Sequence, residues 1–112
     1  MNEVVWDKRA LKILKKFPRE VKKTTGFLIR ELQMGKKLNM PFSRPMPGIE
    51  RNCHELRVRG VDGNYRIFYF LKIKNKIIIF HAFKKKTQKT RKIDLETGKR
   101  NLKEILNENN YN

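Results

Sequence analysis

Residues 53–92 read CHELRVRGVDGNYRIFYFLKIKNKIIIFHAFKKKTQKTRK, and their pattern decides the fold. Three runs rich in Val, Ile, Phe and Tyr are separated by two turn signals, and the last run empties into lysines. From Glu55 to Arg59, Leu56 and Val58 alternate with Arg57 and Arg59, the period of a strand with one buried face. Val61-Asp62-Gly63-Asn64 is a turn, because Gly and Asn tolerate positive φ. Tyr65 to Leu71 is a second strand, Lys74-Asn75 a second turn and Ile77 to Phe83 a third strand, giving an antiparallel meander. Turns centred there set Arg59 opposite Arg66 and Phe68 between Arg57 and His81. Arg57, Arg59, Arg66 and His81 then share one face. Leu56, Val58, Ile67, Tyr69, Phe80 and Ala82 share the other, the core side.

Charge points to the partner. From Arg57 to Lys92 there are twelve Lys or Arg and one acid, Asp62; the whole chain carries a formal charge of +17 and a pI near 10.4. That excess costs stability through self-repulsion, so it serves something polyanionic. Nucleic acid ranks first, an anionic membrane surface second and an acidic protein third. The 112 residues, 38% of them hydrophobic and clustered, fit one domain spanning residues 1–112. Cys53 is the lone cysteine, which excludes an internal disulfide and fits a reducing compartment. No apolar run reaches the roughly 18 residues of a membrane helix, and the first residues lack the order of a signal peptide. The expected location is the cytoplasm, with no membrane partner.

Outward from the meander, residues 2–6 form a brief strand. Asp7 can cap a helix that carries Leu11, Leu14 and Phe17 at helical spacing. Pro18 opens a second helix, about 18–34, with Val21, Thr24, Thr25, Leu28 and Leu32 on one face and Gly35 as terminator. These helices form an antiparallel hairpin over the sheet. Residues 36–52, with Pro41, Pro45, Pro47 and Gly48, keep neither period and read as a surface connection tied down by Met40, Phe42, Met46 and Ile49. After the basic segment 84–92, Asp94 can cap a last helix striped by Leu95, Gly98, Leu102, Ile105 and Leu106. Residues 107–112 are polar, and Tyr111 has no evident role. The expected class is α+β: a small, mainly antiparallel sheet of an N-terminal strand plus the three-strand meander, packed by a helical hairpin, with a C-terminal helix.

The order strand, helix, helix, three strands, helix resembles the RelE/ParE superfamily of toxins, in particular its HigB-like, phage-related branch. Glu55-Leu56-Arg57, Tyr65-Arg66-Ile67 and the run His81 to Thr87 carry the resemblance, with Pro45 to Ile49 before them. It spans essentially the whole chain. It implies the toxin of a type II toxin–antitoxin system, an endoribonuclease cutting mRNA on the ribosome and restrained by a cognate, acidic antitoxin that covers Arg57, Arg66 and Lys84. Operator DNA is met only through the antitoxin complex. The branch's basic residues carry over at Arg57, Arg66 and Lys84–Lys86. Arg91 replaces a usual proline. Gly98 replaces a usual alanine, at a cost of up to about 1 kcal/mol in a helix interior.

RNA can be cut without a metal: its 2′-OH attacks the adjacent phosphorus while the protein moves protons and stabilises charge. Planar guanidinium groups suit phosphate oxygens, which nominates Arg57 and Arg66, with Arg59 in support. His81 can exchange a proton near neutrality. A lysine crowded by cations has a lowered pKa, so Lys84 or Lys86 is a further proton carrier. Lys85, Lys89, Arg91 and Lys92 are candidate RNA contacts. Glu55 can act as a base or pair with Arg57 or a neighbouring lysine, and the ion pair is favoured. The plainer uses stay open: arginines on a solvated face, His81 as a core histidine, and Phe68, Phe70 and Phe83 as packing beneath the last helix. Two histidines and one cysteine offer no metal-ligand spacing, and no cofactor motif is present. Two other readings compete, a toxin of this fold acting on DNA gyrase and a non-catalytic nucleic-acid-binding module.

Overall fold

The computed structural model describes residues 1–109; Tyr111 and the other polar residues beyond 109 lie outside the described residues. The elements are β1 (Glu3–Trp6), α1 (Lys8–Lys15), α2 (Arg19–Gln33), β2 (Ser43–Pro45), β3 (Cys53–Gly60), β4 (Gly63–Phe70), β5 (Lys76–Lys85) and α3 (Lys92–Glu108). One five-stranded sheet runs β1-β5-β4-β3-β2. β3, β4 and β5 form the expected antiparallel meander, and β1 joins its far edge parallel to β5.

Both faces of the sheet are buried. On one, Val21, Leu28 and Leu32 of α2, with Phe17, pack on Leu56, Ile67 and Ile79. On the other, Leu102 and Ile105 of α3 pack on Phe68, Phe70, Ile78 and Phe80. Phe68 and Phe80 are fully buried, each stabilising the fold by about 1.5–3 kcal/mol relative to exposure. Phe68, Phe70 and Phe83 thus pack on the side of the last helix, and Tyr65 and Tyr69 on the side of α2. Asp7 caps α1, accepting from the backbone N–H groups of Arg9 and Ala10. Gly35 ends α2 at φ 85°, the left-handed conformation glycine adopts without penalty.

Several expectations change. The proline-rich segment is not wholly irregular: Ser43 and Arg44 pair with Leu56 and Glu55, and Pro45 ends this short edge strand, where a missing N–H is tolerated. Met46 and Ile49 do pack on the core, whereas Met40 and Phe42 are exposed. Thr24 is exposed, and Ile29 is buried on α2 instead. The first hairpin turn is centred one residue earlier than expected, because Gly60 pairs with Gly63 and leaves Val61 and Asp62, not Asp62 and Gly63, in the loop. Arg66 therefore faces Arg57, Arg59 faces Asn64, and Phe68 lies between Glu55 and His81. A two-residue shift keeps every side chain on its face.

Phe80 does change sides. Phe68 pairs with His81 but Tyr69 pairs with Ile79, so Phe80 is the extra residue of a bulge. Two consecutive side chains, Phe80 and His81, then turn toward α3. The Phe80 carbonyl accepts a hydrogen bond from Asn101 Nδ2 at 2.9 Å, so a buried helix residue secures the bulge. Asp94 does not cap α3, which begins at Lys92 after Arg91 without a side-chain cap. Asp94 sits in the first turn, buried, and pairs with His81.

Candidate active site

Strand alternation and the observed register assemble three rows on the α3 side of the sheet: Arg44, Glu55, Phe68 and His81; Arg57, Arg66 and Phe83; Arg59, Asn64 and Lys85. α3 covers the end of this face that holds Phe68 and Phe80. Past its first turn the sheet is open, and five cations gather there around one carboxylate. Arg57 and Arg66 stand directly opposite one another. Such a like-charge pair destabilises a sheet unless something offsets it. The offset is Glu55, buried, with Oε1 3.5 Å from Arg66 Nε.

The Glu55–Arg66 pair is poorly satisfied. Arg66 Nη1 donates to the Tyr65 carbonyl at 3.1 Å, but Arg66 Nε and Glu55 Oε2 are buried with no hydrogen-bond partner among the described residues. Burial pushes the Glu55 carboxyl above its ordinary value, against the pull of Arg66, Arg57, Arg44 and Lys85. Burial also pushes Arg66 downward, with Arg57 and Arg44 adding to the effect and Glu55 opposing it. Lys85 is held below the usual lysine range, first by burial and then by Arg66. Alongside, Arg57, Arg59 and Arg66 line a groove of about 480 Å³ with Met40, Pro41 and Phe42. A fixed guanidinium pair with unused donors suits a bound phosphodiester.

The remaining candidates separate. His81 shares the face but is buried beneath α3, its Nε2 3.0 Å from Asp94 Oδ1 and its ring stacked on Phe83. Burial pushes its pKa down, against the opposing pull of Asp94. Lys84 points to the opposite side of the sheet, where its Nζ lies 3.1 Å from Asp62 and over the Tyr65 ring. The antitoxin-covered face expected to unite Arg57, Arg66 and Lys84 is therefore two faces. Lys86, Lys89, Arg91 and Lys92 are exposed on the segment beyond β5 and at the start of α3. Arg91 pairs with Asp94 at 3.4 Å and Lys92 lies 3.8 Å from Glu96. Lys86 and Arg91, with His81, Lys84 and Asp94 and with Lys12 and Lys16 at the end of α1, line a second cavity of about 560 Å³ beside β5, away from Arg57 and Arg66.

Three members of the cluster were not singled out as catalytic from sequence. Lys85 was recoverable, since alternation from His81 through Phe83 selects it over Lys84. Glu55 pairs with Arg66 rather than with Arg57 or a lysine. Arg44 lay in the segment read as loop, so nothing marked its position. Among the described residues no group of three or more His, Cys, Asp or Glu could hold a metal. The Cys53 thiol, buried, is pushed up to about 12, too high for a nucleophile near neutrality.

A profile of the family described as phage derived protein Gp49-like matches residues 12–103. The chain belongs to this Gp49-like family. None of the curated proteins searched matches it. Among solved structures, a double arginine-to-alanine variant of the Escherichia coli toxin RelE in its free state superposes with a TM-score of 0.61 at 20% identity, covering 94% of this chain and 98% of that one. The RelB–RelE antitoxin–toxin complex of Methanococcus jannaschii matches with a TM-score of 0.57 at 26% identity, over 71% of this chain and 88% of that one. The intact E. coli RelBE toxin–antitoxin complex matches at 0.52 and 20% identity, over 78% of this chain and all of that one, 100%. The Gp49-like chain thus has the RelE fold. Among the described residues no helix is long and apolar enough to cross a membrane.

Proposed function

We propose that the protein is the toxin of a type II toxin–antitoxin pair, of the HigB-like branch, and acts in the cytoplasm as a metal-independent endoribonuclease on ribosome-bound mRNA. The observation that carries this reading is the Arg57–Arg66 pair, opposed across β3 and β4 beside an open groove and free of any second carboxylate. In this mechanism the 2′-oxygen bonds to phosphorus, the bond from phosphorus to the 5′-oxygen breaks, and the products are a 2′,3′-cyclic phosphate and a 5′-hydroxyl. Arg57 and Arg66 hold the phosphoryl oxygens as negative charge grows on them. Glu55, its carboxyl raised by burial, takes the 2′-OH proton. Lys85, lowered by burial and neighbouring guanidinium groups, returns a proton to the leaving oxygen. The antitoxin presents acidic side chains to the same cluster.

The test is expression in a cell-free translation system. New mRNA 5′ ends are expected within translated codons, and none from an Arg57→Ala protein, whose thermal melt is expected to match the wild type because the side chain is only half-buried. Normal translation with blocked DNA supercoiling would replace this reading with a gyrase-directed toxin. RNA binding without new ends would leave a binding module.

A further inference from the structure

We propose that Phe42, backed by Met40, is a stacking platform for an unpaired RNA base next to the phosphodiester gripped by Arg57 and Arg66; this deepens the nuclease reading and rests on it. Phe42 is 52% exposed and Met40 59% exposed, although 35% of the chain is charged and its other sheet-associated phenylalanines are buried. The ring is not on a loose loop. The Phe42 N–H donates to the Asn39 carbonyl at 3.0 Å, and its own carbonyl accepts the Arg57 N–H at 2.8 Å. Next along the chain, Ser43 is buried on the α2 side with its hydroxyl 2.6 Å from that of Tyr69. Alternation about Ser43 therefore sends Phe42 and Arg44 to the face that holds Arg57.

Phe42 thus extends the row of Arg57, Arg66 and Phe83 by one position. Arg57 Nη1 also lies 3.5 Å from Met40 Sδ, so the guanidinium and the apolar pair form one wall. That wall has the two chemistries a single-stranded nucleotide presents, a charged phosphate beside a flat π-face. The groove of about 480 Å³ lies in the size range of small-ligand sites. A platform of this kind reads no hydrogen-bond edge, so it accepts any base and favours the better-stacking purines.

The experiment titrates the full-length protein with a trinucleotide RNA carrying 2′-O-methyl riboses, which cannot be cut, and with three versions each lacking one base. For the wild type, one of the three abasic versions binds about 10-fold more weakly than the intact RNA. Phe42→Ala binds the intact RNA about 10-fold more weakly, shows no further loss with that abasic version, and keeps the wild-type salt slope. Phe42→Tyr binds like the wild type, and thermal melts of both variants match it. Equal loss by Phe42→Ala on intact and abasic RNA overturns the platform, as does unchanged RNA binding with weakened capture of an acidic protein partner. Because the RNA is inert, the outcomes separate. Stacking intact without mRNA cleavage sinks the nuclease reading alone, and cleavage by a Phe42→Ala protein that has lost no RNA affinity sinks the platform alone.

Discussion

Glu55–Arg66 and His81–Asp94 are both buried ionisable pairs on the same face of one sheet, with Phe68 between Glu55 and His81. Yet they sit in opposite settings. His81–Asp94 lies under the start of α3, close at 3.0 Å and wedged among aromatic rings. Glu55–Arg66 lies beyond the helix, stretched to 3.5 Å and crowded by Arg44, Arg57 and Lys85. The first pair is arranged to hold a helix on a sheet. The second spends its charge on neighbours that repel one another, an arrangement that gains from an incoming anion. Position relative to α3, and not residue type, distinguishes a brace from a site.

Substitutions break this comparison most directly. Arg66→Ala is expected to lower mRNA cleavage about 100- to 1,000-fold, the usual cost of removing one transition-state donor. It also strands Glu55, so the double variant Glu55→Gln/Arg66→Ala should regain stability in denaturant melts while staying inactive. His81→Phe should do the reverse. Loss of the hydrogen bond to Asp94 costs about 1–3 kcal/mol in urea unfolding, with cleavage within about threefold of wild type wherever the protein is folded. Cleavage lost with His81 at unchanged stability would move the chemistry under the helix.

Acid sharpens the contrast, because the two pairs respond with opposite sign. His81 has a folded pKa below its unfolded value of 6.5, so the unfolded chain takes up the proton first. Its contribution is present above pH 6.5 and is lost as pH falls toward the folded value. Glu55 has a folded pKa above 4.5, so the folded chain takes up that proton first, and stability rises as pH falls from the raised value toward 4.5. Each slope is at most about 1.4 kcal/mol per pH unit. Urea midpoints across pH 4–7 should show the loss vanish in His81→Phe and the gain vanish in Glu55→Gln.

The smallest expected effect tests the helix seat. A Cβ at Gly98 would meet Phe68 Cδ2 at 2.9 Å and Phe80 Cε2 at 3.3 Å. Overpacking typically costs about 1–3 kcal/mol, against up to about 1 kcal/mol gained from helix propensity. Gly98→Ala should therefore destabilise by about 1 kcal/mol in melts. A stabilised variant would show that α3 can lift from the rings freely.

The meander, both helical stripes and the shared face of Arg57 and Arg66 were legible, because each depends only on a local period. The register was not, since the position of the turn sets it, and Gly60–Gly63 closes a turn centred one residue before the middle of Val61-Asp62-Gly63-Asn64. Nor was the bulge at Phe80, which depends on Asn101 reaching across from α3. Gly98 looked from sequence like a flaw in the helix. In the structure it is the clearance that lets α3 settle on two phenyl rings. Arg44 was hidden by the prolines around it.

The parallel pairing of β1 with β5 joins Glu3 to Lys76 and Trp6 to Ile79. During synthesis the first strand must wait for more than half of the chain to emerge before its partner exists. Pairings so distant in sequence form slowly. A nascent chain of this kind would bring its guanidinium groups together on β3 and β4 before the edge of the sheet is sealed. That interval leaves the unfinished sheet open to capture by another polypeptide made at the same time.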